Sequence, residues 1–77
     1  MKLSARQRLI ENLAGRLAIG LRRGDFKVDD VNLRLEQLAD SEEFSVSVDA
    51  FRWDRLARDV RIRLAEKYPC DKWGNTL

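Results

Sequence analysis

The stretch SARQRLIENLAGRLAIGLRRG, residues 4–24, decides the fold. Its leucines, Leu9, Leu13, Leu17 and Leu21, recur every four residues, with Ile10 and Ala14 beside them. Residues four apart stand one above another on an α-helix, so these form one apolar stripe. Ser4 is a natural N-cap, because its hydroxyl can accept from an unpaired N–H of the first turn. Arg22 and Arg23 place cations at the negative end of the helix dipole, and Gly24 supplies a left-handed stop. A helix over about residues 4–23 follows. Gly15 and Gly20 each cost it about 1 kcal/mol relative to alanine, which is either simply tolerated or points to another helix packing closely there.

Working outward, a short link over residues 25–28 leads to Asp29 or Asp30, either of which can cap a second helix over about 30–40. Val31, Leu35, Leu38 and Ala39 form its apolar face, and the acids from Asp40 to Glu43 oppose its dipole and end it. Next, Phe44, Val46, Val48 and Ala50 alternate with Ser45, Ser47 and Asp49, which is the period of a strand. The chain offers no second strand to pair with it, so the segment is expected to be an extended linker. In that reading Ser47 caps the following helix and Val46 packs on Phe51 as a hydrophobic staple.

The third helix is expected over 48–68, ended by Pro69, with Ala50, Trp53, Leu56, Ala57, Val60, Leu64 and Tyr68 on one broad face. Trp73, Gly74 and Asn75 are read as a turn that folds the tail back onto the helices. The expected fold is therefore all-α: one domain over residues 1–77, a small three-helix bundle with an extended linker and a C-terminal tail. Its core is drawn from Leu9, Leu13, Leu17, Leu35, Leu38, Trp53, Leu56, Val60 and Leu64.

Composition limits the chemistry. A chain of 77 residues has room for one core and buries only roughly 60% of its unfolded surface. Cys70 is the only cysteine and there is no histidine, which argues against an intrachain disulfide and against zinc, haem or iron–sulfur sites; no cofactor or metal is expected. A free thiol, and an N-terminus with arginines where a signal peptide has an apolar core, fit the cytoplasm. No apolar run approaches the roughly 20 residues that span a bilayer, so no membrane role is expected. Without a histidine or a glycine-rich phosphate loop, and with carboxylates that read as solvated helix charges, no catalysis is expected either.

Charge is unevenly placed. Residues 1–24 carry six cations against Glu11, a net +5; residues 25–49 carry eight acids against Lys27 and Arg34, a net −6; residues 50–77 carry seven cations against four acids, a net +3. The simplest reading is an acidic middle helix lying between two basic ones.

Two binding readings remain. On the third helix the wheel puts Phe51 and Ile62 opposite the core, flanked by Arg55 and Arg58 with Arg52 further round. Aromatic residues and arginine are enriched in the energetically dominant parts of interfaces, so this face is expected to bind a protein partner, another protein or a second copy of the chain, unless Phe51 is consumed by the Val46 staple and Ile62 covers the second helix or the tail. The corresponding function is a small regulatory or inhibitory module, of the kind common among phage and mobile-element accessory proteins. The alternative is nucleic-acid binding through Arg6, Arg8, Arg16, Arg22 and Arg23. It would not use a helix-turn-helix, because the connection from Ala39 to Ser47 is too long for that motif.

Overall fold

In the computed structural model, which describes residues 3–70, the first helix, α1, spans Ala5–Arg23. Its start is closed by a reciprocal capping box: the Gln7 N–H donates to Ser4 Oγ at 3.1 Å and the Ser4 N–H donates to Gln7 Oε1 at 3.0 Å. At its end Gly24 has φ 77°, its N–H donates to the Leu21 carbonyl, and the Asp25 N–H donates to the Gly20 carbonyl at 2.9 Å. Those two bonds make a Schellman motif, which returns the chain sharply toward the helix.

The two interior glycines of α1 differ. A Cβ on Gly15 would meet nothing within 4 Å, whereas one on Gly20 would collide with the ring of Phe26. The close approach expected from the sequence therefore exists at Gly20 alone. It is made by an aromatic residue of the link and not by another helix.

A 3-10 turn at Val28–Asp30 leads into α2, Val31–Asp40. Neither aspartate caps it through its side chain. Val31, Leu35 and Ala39 face the core as the spacing requires.

The expected extended linker is instead a third short helix, α3, at Ser45–Asp49. With no neighbouring strand to pair with, its amides bond locally: Ser45 N–H to the Ser41 carbonyl and Val48 N–H to the Phe44 carbonyl, each at 2.9 Å. Phe44 and Val48, four apart, are buried, while Val46 is 82% exposed. Val46 therefore staples nothing, and Ser47 lies within a helix and is not its cap. The last described helix, α4, spans Trp53–Lys67 and starts later than the sequence reading placed it. Ala50 falls outside it and is exposed. Trp73, Gly74 and Asn75 lie outside the described residues.

The described residues thus form four helices and no strand, an all-α bundle around one core. Leu13, Leu17, Leu35, Leu56, Val60 and Leu64 are its largest fully buried members. Leu38 and Trp53 sit at its edge, and Phe44, Val48, Val31 and Leu21 complete it. The principal contact joins α1 to α4, with α2 on α1 and α3 linking α2 to α4. Pairings advance together along the two main helices, Arg6 with Asp59, Glu11 with Arg63, Arg22 with the carbonyl of Lys67. The two therefore run in the same general direction, and α2 and α3 return the chain from the end of α1 to the start of α4. No helix among the described residues is long and apolar enough to cross a membrane.

Candidate functional site

The α4 face read from the sequence is only partly assembled. Arg55, Arg58 and Ile62 stand three and four residues apart on the side away from Leu56, Val60 and Leu64, and Ile62 is 53% exposed. Arg58 lies 3.8 Å from Asp59, and Arg52 lies 3.8 Å from Asp54. Phe51 does not join them. The helix break falls at Phe51 and Arg52, so the ring turns in against the core and lines a shallow hollow with Arg8, Asn12 and Phe44. One apolar residue amid mixed charge remains on the outer face of α4.

The arginines of α1 are largely engaged inside the fold. Arg6 pairs with Asp59 at 2.7 Å, and Arg16 pairs with Glu43 at 2.5 Å and stacks 5.7 Å from the centre of the Phe44 ring. Arg22 donates to the Lys67 carbonyl at 2.6 Å, a cation at the C-terminal end of α4 where the helix dipole favours it. Arg23 is 3.9 Å from Asp25, and Arg8 alone of the five has no such partner among the described residues.

These pairings also explain how two basic helices pack together directly. Glu11, the one acid of α1, takes Lys67 on one oxygen at 2.8 Å and Arg63 on the other at 2.5 Å. The hydrogen bond from Lys67, followed by that from Arg63, holds the Glu11 carboxyl below its usual 4.5, and Glu11 in turn raises Arg63. The acidic middle of the chain touches both basic helices but does not lie between them. Carboxylates at the α1–α4 contact offset the repulsion there.

The structure brings together a different surface, along the outer edge of α1 and α2. Arg16, Ile19, Gly20 and Arg23 share one edge of α1 by their helical spacing, and Arg34, Gln37 and Leu38 share the facing edge of α2. Between them runs an open groove of about 320 Å³, with Phe26 in it. A second hollow, lined by Lys27, Asp30 and Leu33, shares Asp25, Phe26, Arg34 and Gln37 with the first. Phe26 rests on Gly20, and the Arg34 guanidinium sits 5.2 Å from its ring centre. Ile19 and Leu33 are 50% and 55% exposed, which leaves aliphatic surface at both ends. The groove therefore has apolar residues flanked by three arginines and one acid, Asp25.

Sequence reasoning missed this surface because its central residue lies in the link between helices. Ile19 off the leucine stripe and Gly20 within a strong helix were the available signals. No protein-family model matches the chain, and comparison with curated proteins and with solved structures likewise gives no match.

Proposed function

We propose that this chain is a small non-enzymatic module that docks a protein partner, as a regulator or inhibitor would, and that the α1–α2 groove is the docking site. The observation that carries the reading is the conjunction of Ile19, Phe26 and Leu33 with Arg16, Arg23 and Arg34 in two hollows that share Phe26 and Arg34. Apolar anchors beside arginine are the composition enriched in energetically dominant interface residues. Arg55, Arg58 and Ile62 on α4, with Arg52 nearby, form a smaller and flatter second surface. Nucleic-acid binding is less well supported, since Arg6, Arg16 and Arg22 already hold partners within the fold.

The experiment compares capture of proteins from the source cell by three forms of the chain. These are the wild type, a groove variant (Ile19→Asp with Leu33→Asp) and an α4 variant (Arg55→Ser, Arg58→Ser, Ile62→Ser). All five substituted residues are solvent-facing, so each form should fold, and circular dichroism checks this. A captured protein that is kept by the α4 variant and lost by the groove variant is the expected result. Loss with the α4 variant alone moves the site to that helix, and capture indifferent to both refutes docking at either. Duplex DNA affinity that falls steeply with added salt would favour the nucleic-acid alternative.

A further inference from the structure

The surface also carries an acidic counterpart to this groove. Glu42, Glu43, Val46 and Asp49 recur at three- and four-residue spacing along the turn leading into α3 and along α3 itself. The Ser45 and Val48 amides there bond four residues back, so the four side chains share the outward side. Val46, at 82%, is the most exposed of the large hydrophobic residues described, and Glu42 and Asp49 beside it are exposed with no ion pair among the described residues. Only Glu43 is engaged, by Arg16.

We infer that the groove's occupant is a second copy of this chain, whose Glu42–Asp49 ridge enters the α1–α2 groove head to tail. The inference rests on the proposed docking role of that groove. Val46 would lie on Phe26 and Ile19, the apolar residues of the groove, with Glu42 and Asp49 within reach of Arg23 and Arg34. Arg23 holds Asp25 only at 3.9 Å, and Arg34 has no carboxylate partner among the described residues, so both can receive new ones. An exposed valine set among acids and an apolar hollow whose three arginines outnumber its one acid, Asp25, are complementary in polarity and sign. Because the two surfaces differ, the contact is heterologous, and each added copy leaves one ridge and one groove open.

A contact through one short helix is small and belongs to the weak class, so association is followed by sedimentation velocity over a series reaching about 1 mM. The wild type should grow beyond a dimer as concentration rises, and added salt should weaken its association by tenfold or more. A groove variant (Arg23→Ser with Arg34→Ser) and a ridge variant (Glu42→Ser with Val46→Ser) should each remain monomeric. Mixed in equal amounts, they should form dimers and nothing larger, since one contributes the intact ridge and the other the intact groove. The mixing result separates this contact from any symmetric one. A wild type that stays monomeric throughout, or single variants that associate as the wild type does, would overturn the inference. If the wild type is monomeric while the groove variant of the capture experiment still loses a partner, self-docking fails and the docking role of the groove stands.

Discussion

Alanine at Gly15 and alanine at Gly20 make the same chemical change in the same helix, yet the two should act in opposite directions. Each removes an interior glycine from α1, worth up to about 1 kcal/mol in helix propensity and unfolded-chain entropy. At Gly15 the added methyl meets nothing within 4 Å, so the gain should be realised in full. At Gly20 the methyl takes the place of the Phe26 ring, which must leave. Full burial of a phenylalanine is worth roughly 1.5–3 kcal/mol, and this ring is half-buried, so about 1 kcal/mol is lost. The Arg34 guanidinium over the ring adds about 0.5–1 kcal/mol to that loss. Gly20→Ala should therefore destabilise by about 0.5–1 kcal/mol while Gly15→Ala stabilises by about 1. Urea unfolding with an unchanged m-value measures both, and in a domain of this size each kcal/mol moves Tm by about 4–8 °C. In a Phe26→Ala background the conflict is absent, and Gly20→Ala should then stabilise. If Gly20→Ala matches Gly15→Ala in the wild type, or keeps its sign when Phe26 is removed, the packing argument is wrong.

Three further outcomes follow from the same contacts. Leu13→Ala should cost about 3 kcal/mol, since Leu13 is fully buried in the core, and in so small a domain this brings thermal unfolding close to ambient temperature. Gly24→Ala should cost about 1 kcal/mol, because alanine is strained at φ 77°; an unchanged urea midpoint would contradict the Schellman assignment. Glu11→Gln should flatten the acid limb of the stability profile. Its carboxyl is held low by Lys67 and Arg63, so its contribution is present above the usual 4.5 and lost as pH falls through the lower folded-state value. The wild type should accordingly lose more stability than the variant between neutral pH and about pH 3. Parallel loss in both would show that Glu11 plays no part.

The sequence makes α1 legible because its signals are local and agree: a leucine row of period four, a serine before it, cations at its end and a glycine beyond. The Ser4–Gln7 reciprocity and the Gly24 conformation follow from residues within one turn of each other. The region from Phe44 to Arg52 is harder because its signals conflict. Alternation of apolar and polar residues matches a strand, but Phe44 and Val48 also satisfy helical spacing, and only the absence of a pairing strand decides between them. The break before α4 carries neither glycine nor proline, and Arg52 makes no side-chain cap, so the wheel ran on through Phe51 and assigned it to the wrong face. The candidate site was the least legible part, since it depends on Gly20, Phe26 and Arg34 meeting across a turn whose course no local pattern specifies.

The pairing of α1 with α4 sets a constraint on how the molecule is born. On the ribosome, the leucine row emerges about forty residues before α4 is complete, an interval of a few seconds at ordinary elongation rates. During that interval α2 and α3 can shelter only one flank of the row, and the remainder is open to chaperones or to misassociation with neighbouring chains. Slowing translation across residues 24–67 should therefore lower the yield of folded protein without altering its sequence, an effect absent from a bundle whose consecutive helices form the main contact.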